Sequence, residues 1–163
     1  METNFQKVVQ FNEKAGYFLP DEVDQNIFDN DPKTVKLKLD LILEEVDELK
    51  EAVKTKNIVE TVDALSDILY VVYGMGAALG INMDDSFDIV HKSNMSKFCQ
   101  TEQQAIDTVL QYKKLYEEGT SPYDSPDFKL SDDKKYYIIY NKSTGKTLKS
   151  KYYQEVDFYN IIN

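Results

Sequence analysis

Apolar positions recur at helical spacing along most of the chain, and the helices they predict follow one another with short breaks. Residues 4 to 15 put Phe5, Val8, Val9 and Phe11 on one side of a short amphipathic helix that stops at Gly16. Residues 17 to 32 read as a loop with an aromatic anchor. Over 33 to 54, Val35, Leu39, Ile42, Val46, Leu49 and Val53 fall at the spacing of one helix face. The turn at 55–57 follows, and Asn57 stands where it caps a helix over 58 to 79 that ends at Gly80. A connection this short joins antiparallel neighbours, so the two helices are expected to form a hairpin. A helix over 84 to 97 starts among aspartates, as the helix dipole favours. One over 101 to 118 opens with Thr101 and Gln104 in capping-box spacing and stops at Gly119. There is no internal repeat.

Downstream the pattern changes. SPYDSPDFKLSDD reads as a linker, and KKYYIIYNKSTGKTLKSKYY places β-formers on both sides of NKSTG, which predicts a small hairpin there. Seven lysines fall between 129 and 151, so a basic tail follows an acidic helical body. The expected fold is all-α, a helical bundle with a small β-hairpin-like tail.

At 163 residues the chain is long enough for a real core, and 42% hydrophobic with 29% charged residues is ordinary for a globular protein. No run approaches the ~18 apolar residues of a membrane span, and the first residues hold no apolar signal core. One cysteine, Cys99, excludes an internal disulfide and a cysteine-based zinc site, and one histidine, His91, argues against a histidine metal site or a Ser-His-Asp triad. These features lead one to expect a cytoplasmic protein with no membrane partner. A net charge of −10 would repel a nucleic-acid polymer. All 19 basic residues are lysines. Any phosphate contact therefore falls to lysine, backbone amide or metal, and an arginine finger in cis is excluded.

The acids of the predicted hairpin change the picture. LILEEVDELKEA carries Glu44, Glu45 and Glu48, and Glu45 and Glu48 share a face. On the next helix Glu60 and Asp63 are three apart, and Asp67 stands one turn further on. This acid line lies opposite the Val62/Leu65/Leu69/Val72 stripe and runs into Tyr70, Val71 and Gly74, so the helix reads as buried on both sides. Packed as a hairpin, the pairs Glu45/Glu48 and Glu60/Asp63 can face each other. Four carboxylates in a partly dry site do not all stay ionised without compensation, and a hard divalent cation supplies it. Oxygen ligands without histidine or cysteine suit magnesium, with manganese as the alternative. Simpler readings stand beside this one. Glu44, Glu48 and Glu51 alone would make a solvated face, Glu60 could close a capping box with Asn57, and Asp67 could be a buried acid partnered by Ser66.

EExxE at Glu44, Glu45 and Glu48, followed by ExxD at Glu60 and Asp63, resembles the all-α nucleoside triphosphate pyrophosphohydrolases: MazG-like enzymes, dimeric dUTPases and phosphoribosyl-ATP pyrophosphohydrolase. The string VDALSDILYVVYGMGAALGINMDDSFDIVHKSNMSKF is similar to the branch named for phosphoribosyl-ATP, as are FNEKAGYFLP at the start and GKTLKSKYYQEVDF at the end. The likeness spans residues 5 to 98 and about 145 to 158. It implies a catalytic core over 1–98, a helical insertion and linker over 99–135, and a basic tail over 136–163 packing on the core, all within one domain. It further implies a homodimer or tetramer with magnesium between two helices. Glu45, Glu48, Glu60 and Asp63 correspond to metal ligands, with Asp67 in a supporting or second-metal role. Glu44 corresponds to the acid that positions or deprotonates the attacking water. Asn94, Lys97, Lys149 and Tyr152 correspond to substrate-binding residues. Glu155 stands where the family tail usually has proline.

The activity implied is magnesium-dependent hydrolysis of a nucleoside triphosphate to the monophosphate and pyrophosphate, with a dUTP-like substrate favoured. The alternatives are hydrolysis of phosphoribosyl-ATP and, outside enzymes, an acidic helical binding module.

Overall fold

The computed structural model describes residues 1–163. Its elements, in chain order, are α1 (Asn4–Lys14), α2 (Ile27–Asn30), α3 (Pro32–Lys54), α4 (Ile58–Ala78), α5 (Met83–Met95), α6 (Glu102–Glu117), β1 (Pro126–Leu130), β2 (Tyr137–Asn141) and α7 (Tyr159–Ile162). The fold class is the all-α one expected, with one small antiparallel sheet. No single helix is long and apolar enough to cross a membrane. The chain forms two compact units, one of residues 1–88 with 158–163 and the other of residues 89–157.

In the first unit, α3 and α4 form the expected antiparallel hairpin, and α1 lies against α4. Thr3 and Gln6 close a reciprocal capping box at the start of α1. Asp31 caps α3 through Thr34 N–H, with Pro32 at the first helical position where its missing N–H costs nothing. Asn57 caps α4 by accepting from Val59 N–H and Glu60 N–H. Helices α3 and α4 both end in a paired turn of the Schellman type. After α4, Gly80 N–H donates to Ala77 O and Ile81 N–H to Gly76 O, with Gly80 in the left-handed region at φ +73. After α3, Lys56 N–H donates to Val53 O and Asn57 N–H to Ala52 O, and here the left-handed residue is Lys56, at φ 56. Gly80 is doubly fixed, because a Cβ there would stand 2.2 Å from Glu22 O.

Residues 17 to 32, expected to be loop throughout, include the short helix α2. Asp24 makes it, accepting from Asn26 N–H at 2.8 Å and from Asn30 Nδ2 at 2.8 Å.

Aromatic contacts fix α1 on α4. Phe5 meets Tyr73 at 6.2 Å and Phe11 meets Tyr70 edge-on at 5.8 Å, with Val8 buried between them in sequence. The core of this unit is built largely of small residues, among them Ala52, Ala64, Gly74, Gly76, Ala77 and Ala78. Several large apolar side chains of the hairpin remain outside it: Ile58, Val62, Leu65 and Leu69 of α4 are 72%, 59%, 48% and 54% exposed.

In the second unit α6 packs on the β1–β2 sheet around Cys99, Ala105, Val109, Ile139 and Leu148. The sheet departs from expectation. The partner of Tyr137–Asn141 is the upstream segment Pro126–Leu130, read from the sequence as linker, with Pro126 opposite Asn141 and Leu130 opposite Tyr137. The segment after NKSTG contributes only an isolated bridge between Tyr140 and Thr147. Proline at the first position of β1 is compatible with pairing, because the strand begins there. Buried Asn141 organises the neighbouring turn: its Nδ2 donates to Asp124, Ser143 and Thr144, and its Oδ1 accepts from Ser125 N–H.

Candidate active site

Helical spacing places the acids in layers along the hairpin. Counting back along α3, Glu48, Glu45, Leu41 and Lys38 succeed one another at intervals of three or four residues. Along α4 the succession is Asp63, Asp67, Tyr70/Val71 and Gly74. The two helices run antiparallel, so one end of the hairpin carries acids and the adjoining stretch carries aromatic and apolar residues.

Glu45 is the focus of the acidic layers. Its Oε2 is sealed from solvent and no donor reaches it. Burial pushes its carboxyl above the usual glutamate range, and the charges of Glu48, Asp67, Glu44 and Asp63 push in the same direction. Asp67 therefore acts on Glu45 from the facing helix, together with Asp63. Glu60 is exposed and stands in the first turn of α4.

A buried oxygen without a donor, on a carboxylate that feels the charges of four other acids, fits a divalent cation, since a cation satisfies the lone pair and relieves the repulsion together. As the side chains stand, no three acids converge as a finished cage. The residues present supply oxygen donors only, the set that magnesium and manganese take.

One turn from the acids the same unit holds a cavity of about 530 Å³. Its walls come from α1, the 17–31 segment, the first half of α3 and the middle of α4. Phe11, Tyr17, Phe18 and Tyr70 supply aromatic surface there, and Leu41 and Val71 connect it in sequence to Glu45 and Asp67. Lys38, which sequence reasoning passed over as one of many helix lysines, lines this cavity. The amphipathic pattern treats a lysine as solvent-facing, and only the fold of the 17–31 segment over the helix reveals otherwise.

The four substrate-binding candidates all lie in the second unit. Lys97 Nζ donates to Asn94 Oδ1 at 2.6 Å. Lys149 Nζ stands 4.0 Å from the Tyr153 ring centre, and Tyr152 OH donates to Asp107 at 3.1 Å. The SNMSK segment and the tail are laced together. Ser150 N–H donates to Lys97 O at 3.0 Å, Ser93 OH to Gln154 O at 2.8 Å, and Gln154 N–H to Ser96 Oγ at 2.9 Å. Two segments distant in sequence thus bring Asn94 and Lys97 into the neighbourhood of Lys149 and Tyr152.

The pattern of the family described as phosphoribosyl-ATP pyrophosphohydrolase matches residues 19–94, a span containing all six candidate acids of the hairpin. A protein of Acanthamoeba polyphaga mimivirus, named uncharacterized protein L479, is 32% identical over 98% of this chain and 96% of its own length.

Proposed function

The chain belongs to the all-α nucleoside triphosphate pyrophosphohydrolase superfamily, and on that premise we propose that it hydrolyses a deoxynucleoside triphosphate, dUTP-like by preference, to the monophosphate and pyrophosphate. The observation that carries the reading is Glu45, a carboxylate with a sealed, donorless oxygen among like charges, one turn from a cavity lined by aromatic rings. Acid cluster and base-sized pocket adjoin on one helical hairpin, which is the arrangement a nucleotide with a metal-bound phosphate chain requires.

Glu45, Glu48, Asp63 and Asp67 would hold magnesium, with Glu60 at the end of the line nearest the start of α4. Magnesium bound there supplies charge neutralisation on the phosphates and an acidified water. Glu44, next to Glu45 in sequence, is the residue assigned to orient the attacking water or accept its proton. Lys97 and Lys149 are kept as substrate-binding candidates on the family resemblance alone, in a chain that has no arginine. The rings of the cavity hold the base by stacking and exclude water from it.

The charge of the cavity favours a nucleoside triphosphate over phosphoribosyl-ATP. Asp24 and Asp31 line it along with Lys38, and Thr34 holds the Asp31 carboxyl below its usual range. A second sugar phosphate would meet more negative than positive charge, whereas a neutral base meets none of that penalty. The exposed Ile58/Val62/Leu65/Leu69 stripe supports the homodimer or tetramer reading, since a continuous apolar face on one helix calls for a covering partner.

The deciding experiment is a panel of nucleoside triphosphates and phosphoribosyl-ATP with magnesium and pyrophosphate detection. Pyrophosphate from a deoxynucleotide is the expected product. Orthophosphate as the first product, turnover surviving EDTA, or turnover of phosphoribosyl-ATP alone would reject the assignment.

A further inference from the structure

Lys38 is the cation of the cavity, and its circumstances are unusual for this lysine-rich chain. It is half-buried, and desolvation pulls its ammonium below the ordinary lysine range. It makes no ion pair and no hydrogen bond; its contact is the Tyr17 ring, 5.4 Å from Nζ to the centroid. The neighbouring Lys36, by contrast, points outward and pairs with Asp40. Across the cavity the Lys38 ammonium lies beside the bare backbone of Gly74, since a Cβ there would be 4.0 Å from Nζ. Its three N–H donors therefore open onto a largely apolar cavity and bond no group of the protein, which leaves them available to an acceptor on a ligand placed there.

Position limits which acceptor that is. Lys38 is seven residues before Glu45 on one face of α3, roughly 10 Å along the helix axis. With the phosphate chain at the acids, a nucleotide reaching into the cavity brings its base to Lys38, and the edge remote from the sugar lies deepest. In a pyrimidine that edge carries the substituent at position 4. A carbonyl there accepts from the ammonium, while the amine of cytosine would set donor against donor.

We infer that Lys38 determines base specificity, donating to the 4-carbonyl of uracil or thymine and rejecting cytosine. The inference rests on the nucleotide reading of the site, and its test separates the two. Deoxyuridine and deoxycytidine are titrated by calorimetry into the full chain and into Lys38→Met, and turnover of dUTP and dCTP is followed in parallel. Lys38→Met should weaken deoxyuridine by about 10- to 100-fold, the range for one buried charged hydrogen bond, and leave deoxycytidine within about 2-fold. For dUTP the loss should fall on KM with kcat nearly unchanged, and Lys38→Arg should keep the preference.

A preference that survives Lys38→Met, or an equal loss for both nucleosides, overturns the assignment. So does an equal loss of turnover on dUTP and dCTP with nucleoside binding intact, which would place the ammonium on phosphate. A wild type that turns over no triphosphate yet shows the Lys38-dependent preference upholds this assignment and overturns the hydrolase reading. Should Lys38→Met not fold, the wild type settles the matter with the deoxyribonucleoside of 2-pyrimidinone, which lacks the 4-oxygen: binding equal to that of deoxyuridine overturns the inference, and binding at least about 10-fold weaker supports it.

Discussion

Asp67 on α4 raises the pKa of Glu45 on α3 across the helical hairpin, so two acids 22 positions apart in sequence belong to one electrostatic unit. Asp67 makes Glu45 more costly to ionise, and a shared divalent cation turns that cost into attraction. Magnesium should accordingly raise the melting temperature of the wild type. Glu45→Gln, which keeps the shape and removes the charge, should raise the metal-free melting temperature and abolish the magnesium-dependent rise. Turnover should fall by about 100-fold or more. Differential scanning fluorimetry with and without magnesium reads the first two effects, and an unchanged magnesium response in the variant would remove Glu45 from the metal site.

Asp31 provides the test in pH. Its carboxylate caps α3, and hydrogen bonds from Thr34 hold its pKa below the ordinary value. A depressed carboxyl contributes stability that is present above the unfolded pKa of about 3.9 and is lost as pH falls through the lower, folded value. Asp31→Ala should therefore be less stable than wild type at neutral pH. The difference should close as both are taken into acid below the folded pKa, measured by urea midpoints across the pH series.

Lys56 holds a left-handed conformation at the end of α3, where α4 has Gly80 in the equivalent place. Left-handed backbone costs a residue with a side chain about 1 kcal/mol. Lys56→Gly should stabilise the chain by up to about that amount, seen as a rise of roughly 2–4 °C in melting temperature. Gly80→Ala should do the reverse, and more strongly, since it adds the clash with Glu22 O to the strain.

Self-association through α4 has its own test. Val62→Asp with Leu69→Asp places two charges in the exposed apolar stripe. Burial of each side chain at an interface is worth roughly 1.5–3 kcal/mol, so the pair should weaken association by more than about 100-fold. Light scattering after size exclusion should show wild-type oligomer and variant monomer, with the helical circular dichroism unchanged.

The periodicity of apolar residues determined the α1, α3, α4, α5 and α6 helices to within a few residues, because helix formation answers to local spacing and to caps such as Thr3, Asn57 and Thr101. The short connection at 55–57 determined that α3 and α4 run antiparallel, and with them the acid pairs were legible. What the sequence left undecided depends on which atoms lie near which. The six candidate acids of the hairpin look alike as letters, and only packing singles out Glu45 as the one with a sealed oxygen, draws Asp67 to it and leaves Glu60 exposed. The strand partner of Tyr137–Asn141 was likewise decided by the fold, since β pairing joins segments that carry no local record of their neighbour. Lys38 belongs to the same class: a lysine on an amphipathic helix reads as solvated until a distant loop closes over it, and burial is a property of the folded neighbourhood, not of the residue.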